Sequence, residues 1–191
     1  MENNTIPSYP IMRKYAITDD YEKDYGRVDY KGKTVMDIGT DWGSTAEFFA
    51  HKGASKIICV DGNITFLKEL EENVTRYKWP VIIEQRSIQA VSDLEYLLQK
   101  FEVDIVKCDC DGCERWFETL TRDYARRVPL YIFEIHSLSL YLMLARRASD
   151  WGYTWEPASF SLQKALKLKT QLAPNADLPF CTIVYMKRED S

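Results

Sequence analysis

No apolar run in this sequence approaches the ~20 residues that a helix needs to cross a bilayer, so no membrane span is expected. The opening MENNTIPSYP has neither a basic flank nor an apolar block, which argues against a secretory signal. A basic excess is also missing: 25 Lys and Arg face 29 Asp and Glu, for a formal net charge of −4. Wholesale binding to a nucleic-acid backbone needs a dominant basic field and is not expected. The pairs Arg126-Arg127 and Arg146-Arg147, and the lysines 164, 167 and 169, read as solvated helix faces. The 164–169 lysines are the one place where an RNA could be met. Cysteines number five, three of them bunched, which does not suggest a disulfide framework. A reducing cytoplasm is the expected location. The sequons at Asn63 and Asn73 therefore carry no weight. There is no internal repeat, low-complexity tract or domain linker, so residues 1–191 read as a single domain.

What is present is an alternation of short apolar runs and helical periodicities. Strands are predicted over 33–38, 56–60, 80–84, 103–108, 130–135, 153–156 and 181–187. They are rich in β-branched residues and bounded by turn residues. Helices are predicted over 43–51, 64–77, 93–101, 113–125 and 138–151, where apolar residues recur at helical spacing. Short connections between alternating elements mark an α/β, doubly wound, mostly parallel sheet. Within the domain, 1–30 reads as an N-terminal arm and 31–156 as the ligand-binding core. Residues 157–179 are a proline-interrupted insert or lid, and 180–191 are the last strand and tail.

The first strand ends in Asp37-Ile-Gly-Thr-Asp-Trp-Gly43. Ligands of doubly wound sheets bind at the carboxyl ends of strands, and glycines there let the backbone come close to them. Asp61, at the end of the second strand, suits the ribose hydroxyls of an adenosine ligand. The glycines do not make the G-x-G-x-x-G of dinucleotide folds, and Asp41 would repel a pyrophosphate. S-adenosylmethionine carries a sulfonium, an ammonium and a ribose diol, so it fits these carboxylates better than NAD.

Four stretches together resemble class I S-adenosylmethionine-dependent methyltransferases, and within them the FkbM family. They are VMDIGTDWGS (35–44), ICVDGN (58–63), VKCDCDGCE (106–114) and PLYIFEIHS (129–137), the last followed by a later Gly-Tyr. The resemblance implies a seven-stranded, Rossmann-like sheet with an antiparallel last strand. It also implies methyl transfer to an oxygen of a sugar or other small molecule. By motif position Asp37, Gly39 and Gly43, with Thr40 and Asp41 between them, would line the methionine end of the cofactor. Asp61 and Gly62 would meet the ribose, Ser87 and Ile88 the adenine, and Asp109 would complete the set. Three features depart from the family: Asp41 replaces the usual Asn, Asp111 replaces the usual Glu, and the arm is short while 157–179 lies outside the pattern.

An alcohol acceptor must lose a proton as it attacks the methyl carbon, so a nearby base helps. Asp109, Glu134 and His136, at the ends of the fourth and fifth strands, are the candidate catalytic residues. Asp111 and Glu114 extend an acidic ledge. Such a cluster can also hold a divalent cation, but no metal is assigned. Cys108, Cys110 and Cys113 contain one C-x-x-C and no second pair, short of the usual zinc pattern. They read as small packing residues around the acids. Two other functions stay open at this stage: an RNA methyltransferase using the 164–169 lysines, and a non-catalytic S-adenosylmethionine-binding regulator. Oligomeric state is not legible.

Overall fold

The computed structural model describes residues 9–14, 20–158 and 179–190. The strands form one seven-stranded, mostly parallel sheet, in the spatial order 81–85, 56–61, 34–38, 105–108, 130–137, 179–188 and 153–157. The chain packs as two compact units, residues 1–86 and 87–191.

The first unit contains α1 (Pro10–Lys14), α2 (Tyr21–Tyr25), β1 (Thr34–Ile38), α3 (Ser44–His51), β2 (Lys56–Asp61), α4 (Ile64–Tyr77) and β3 (Val81–Gln85). β2 pairs in parallel with β1, Met36 opposite Ile58, and with β3, Ile58 opposite Ile82. Ile57 to Val60 are fully buried. That explains why KIICV shows no alternation, since a strand covered on both faces has no polar side. The tyrosine-rich arm contributes to the core. Tyr25 and Tyr30 pack edge-on or tilted against Phe48 and Phe49 of α3, and the Tyr30 hydroxyl donates to the Tyr25 carbonyl at 2.8 Å. Buried Glu47 accepts from the Ile11 N–H at 3.1 Å, satisfying a donor of α1 that has no partner inside the helix. Asn63 caps α4 by accepting from the Thr65 N–H at 2.9 Å.

The second unit contains α5 (Val91–Lys100), β4 (Ile105–Cys108), a 3-10 helix (Cys113–Glu118), α6 (Arg122–Ala125), β5 (Leu130–Ser137), α7 (Leu138–Trp151), β6 (Tyr153–Pro157) and β7 (Pro179–Arg188). β4 and β5 are parallel, and β7 runs antiparallel to both β5 and β6. Tyr131 and Phe133 stack in the core, and Phe117 meets both edge-on. The Tyr131 and Tyr153 hydroxyls both donate to the Ala125 carbonyl at 2.8 Å. Buried hydroxyls need such acceptors.

Two expectations are corrected. The helix predicted over 113–125 is two short pieces, because Thr121 is extended (φ −72°, ψ 155°) and interrupts it. The fifth strand continues past Ile135 to Ser137, with an irregularity between those residues, so His136 belongs to the strand. The predicted insert and its lysines 164, 167 and 169 fall outside the described residues.

Candidate active site

In the first unit, the turn after β1 is built by backbone geometry. Gly39 has φ 77° and donates its N–H to the Val60 carbonyl at 2.9 Å. Asp41 has φ 45°, a left-handed conformation that Asp tolerates because its carboxylate can bond locally. That carboxylate accepts from the Gly43 N–H at 3.0 Å and lies 3.4 Å from the Ser44 hydroxyl. The turn thereby reaches Asp61. The Asp41 N–H donates to Asp61 Oδ2 at 3.3 Å, and the Asn63 N–H to Oδ1 at 2.7 Å. Asp61 is half-buried. Its carboxylate is oriented by two backbone donors, and each oxygen retains a lone pair.

The remaining predicted cofactor residues divide by role. Buried Asp37 accepts the Thr45 hydroxyl at 2.6 Å, tying β1 to α3. The Thr40 hydroxyl is buried and finds no hydrogen-bond partner among the described residues. A buried hydroxyl of this kind can bond a ligand held in the loop. Gly43 (φ 94°) is required by packing: a Cβ there would lie 2.5 Å from Leu70 Cδ1. The glycine thereby admits α4 against the loop. Gly62 is exposed beside Asp61. The Arg86 N–H donates to the Asp61 carbonyl at 2.9 Å. Beyond it, in the second unit, Ser87 is exposed and Ile88 half-buried.

The second unit gathers all three predicted catalytic residues. Asp109 Oδ1 lies 3.6 Å from His136 Nε2, and Asp109 Oδ2 lies 3.5 Å from Lys107 Nζ. Burial works to raise the Asp109 carboxyl, but Lys107 and the contacts with His136 and Glu134 outweigh it, holding it well below the usual carboxylate range. Burial, then the Asp109 charge, push Glu134 up to about 7. The contact with Asp109 raises His136 to about 9, against the opposing effect of burial. At neutral pH the cluster therefore holds an ionised Asp109, a protonated His136 and a Glu134 poised to titrate. The Cys181 thiol donates to Glu134 Oε1 at 2.8 Å.

Lys107 and Cys181 are site residues that sequence reasoning missed. A lysine inside the apolar run IVKC was a usable signal, because a buried ammonium demands an anionic partner. Nothing local marked Cys181, which the antiparallel β5–β7 pairing brings to Glu134. A cavity of about 670 Å³ opens beside His136, lined also by Asp111, Glu114, Ser137, Leu140 and Met143 among others. That volume suits a small molecule.

The cysteine expectation is corrected as well. Cys110 and Cys113 are joined in a disulfide, with buried Cys108 beside them. The loop that allows this has Asp111 at φ 54° and Gly112 at φ 117°. Glu114 is fully buried and accepts the N–H groups of Cys110 at 2.9 Å and Gly112 at 2.8 Å. Burial nevertheless raises its carboxyl above the ordinary range.

The architecture is that of Rossmann-like methyltransferases. It resembles an S-adenosylmethionine-dependent O-methyltransferase from Thermotoga maritima (TM-score 0.63, 15% identity, 96% of this chain and 72% of that one). It also resembles Aeropyrum pernix fibrillarin, solved with natively bound S-adenosyl-L-methionine (TM-score 0.59, 15% identity, 86% and 70% of the two chains). A putative RNA methyltransferase from Pyrococcus horikoshii superposes too (TM-score 0.55, 16% identity, 87% and 79%). At these identities the likeness is one of fold. No protein-family model matches the chain. In sequence the chain belongs to the family of uncharacterized protein 65 of Sulfolobus islandicus filamentous virus (isolate Iceland/Hveragerdi). The two are 31% identical over 119 residues, 61% of this chain and 68% of that protein. Uncharacterized protein 158B of Sulfolobus islandicus rod-shaped virus 1 is 32% identical over 96 residues, and the match spans 58% of its length.

Proposed function

We propose that this protein is an S-adenosylmethionine-dependent methyltransferase of FkbM-like type, acting on a hydroxyl of a sugar or other small molecule in the cytoplasm. The observation that carries the proposal is the Asp61 carboxylate, held at the end of β2 by the N–H groups of Asp41 and Asn63. It is set to accept a vicinal diol through its remaining lone pairs. The buried Thr40 hydroxyl supports a ligand in the same loop. Gly39, Thr40, Asp41 and Asp61 would hold the cofactor, with Asp37 fixing the strand–helix geometry beneath them. Gly62, Ser87 and Ile88 would complete its ribose and adenine contacts.

Bound S-adenosylmethionine supplies an electrophilic methyl group. The chain's own part is to align the acceptor and take its proton, and alignment supplies much of the rate in such transfers. Glu134 is the base in this reading, because its carboxyl titrates near neutrality, where a base works best. His136, kept protonated by Asp109, donates a hydrogen bond to the acceptor instead. The cavity beside His136 is the acceptor's place.

Calorimetry with S-adenosylhomocysteine tests the cofactor assignment. Asp61→Ala should bind at least about tenfold more weakly, the loss expected when two hydrogen bonds to a charged group disappear. Equal binding by wild type and variant would remove the ribose assignment. Tight binding without turnover across a broad hydroxyl panel would favour a regulatory role.

A further inference from the structure

The sulfur cluster after β4 has no part in this chemistry, and its geometry is specific. Cys108 Sγ lies 3.7 Å from Cys110 Sγ and 3.6 Å from Cys113 Sγ. Glu114 Oε1 lies 3.4 Å from Cys110 Sγ. One ligand atom from each of these four residues falls within 4.8 Å of every other. Two thiolates on one tetrahedral zinc, each at about 2.3 Å, stand about 3.8 Å apart. The two Cys108 distances match that spacing.

The surroundings suit a closed site. Cys108 and Glu114 are fully buried and Cys113 nearly so. The positive φ angles of Asp111 and Gly112 fold the loop back, and the Cys110 and Gly112 N–H groups aim the Glu114 carboxylate. Outer contacts of this kind fix ligand orientation in metal centres. The compact C-x-C-x-x-C-E run thus delivers three sulfurs and one oxygen without a second C-x-x-C.

We propose that reduction of the Cys110–Cys113 disulfide turns Cys108, Cys110, Cys113 and Glu114 into a binding site for a thiophilic divalent cation of the zinc class. A dithiol reductant gives two electrons and two protons, the S–S bond breaks, and the reductant leaves as its own disulfide. Cation binding then releases three thiol protons as three sulfur–metal bonds form, and the Glu114 carboxylate supplies the fourth ligand. The disulfide and the metal centre exclude each other, because both need Cys110 and Cys113. Glu114 also lines the cavity beside His136, but the readout is cation binding alone and does not rest on the methyl-transfer reading.

The test titrates the full chain, reduced with a phosphine, with cobalt(II), then displaces the cobalt with zinc. Wild type should take up one cobalt, showing thiolate-to-cobalt charge transfer and tetrahedral d–d bands. Cys108→Ser should weaken binding at least about tenfold, with Glu114→Gln as a shape-preserving second variant that also weakens it. Cys181→Ser should bind as wild type does. Protein verified by mass to retain the disulfide should show no thiolate band. Circular dichroism before cation addition establishes that each variant is folded. The proposal is overturned if reduced wild type gives no thiolate–cobalt band. It is equally overturned if folded Cys108→Ser and Glu114→Gln both bind like wild type, or if Cys181→Ser abolishes binding. That last result would move the cation to the Glu134–His136–Cys181 group.

Discussion

Lys107 Nζ stands 3.5 Å from Asp109 Oδ2, and the lysine side chain is only 2% exposed against 29% for the aspartate. The buried ammonium fixes the aspartate as an anion, and the aspartate in turn keeps His136 protonated. Asp109→Asn removes the carboxylate partner of both cations. Stability should fall by about 2 kcal/mol, below the full cost of breaking a buried pair because Asp109 is partly solvated. The His136 titration followed by NMR should also drop from about 9 toward the ordinary range. An unmoved His136 titration would show that Asp109 does not control it.

Glu134 predicts a pH-dependent stability of definite sign. Its folded carboxyl is raised from 4.5 to about 7, so between those values the native state binds more protons than the unfolded state. Stability from this group is present below pH 4.5 and is lost as pH rises through 7. Glu134→Gln should flatten that fall by on the order of 1 kcal/mol after allowance for solvent screening. Melting temperatures at pH 4.5 and 8 read it directly. The same variant should lose most methyl transfer and the rise of rate with pH. A variant with unchanged activity would remove Glu134 as the base.

Much of the fold was legible because buried parallel strands announce themselves. KIICV and TVMDI each carry buried β-branched and apolar residues in succession, and helices such as 64–77 keep their period between caps. The acid cluster was legible as residues, since Asp109, Glu134 and His136 lie at strand ends. Their division of protonation was not, because it depends on Lys107, whose burial is a tertiary fact. The disulfide was hidden for a similar reason. It needs left-handed geometry at Asp111, a residue type whose sequence gives no firm sign of it. Cys181 reaches Glu134 through a strand pairing that bridges 47 positions.

Gly43 answers to a packing demand and a backbone demand that can be measured apart. A Cβ there would meet Leu70 Cδ1 at 2.5 Å, and its φ of 94° disfavours any side chain. Gly43→Ala should cost about 2–3 kcal/mol, combining backbone strain and overpacking. Leu70 is fully buried, so Leu70→Ala alone should also cost about 2–5 kcal/mol. The double variant should be less unstable than the sum by at least about 0.5 kcal/mol, because the smaller residue 70 relieves the clash. Strict additivity in urea denaturation would show that the glycine answers to backbone conformation alone.

His136 and Glu134 are adjacent in the cluster, yet their titrations act in separate windows. The His136 pKa is raised from 6.5 to about 9, so its contribution is complete below pH 6.5 and is lost as pH rises through 9. Glu134 has by then finished titrating. His136→Gln should therefore be destabilised relative to wild type at pH 6.5 and should converge on it near pH 10. The difference is modest because the imidazole is 41% exposed and screened by solvent. Glu134→Gln should keep a fall in the alkaline window but shrink it, because the Glu134 charge is a lesser cause of the raised His136, after the contact with Asp109. Denaturation curves for the two variants across pH 5 to 10 distinguish the windows. If Glu134→Gln abolished the alkaline fall as completely as His136→Gln does, the assignment of separate proton-holding roles to Glu134 and His136 would fail.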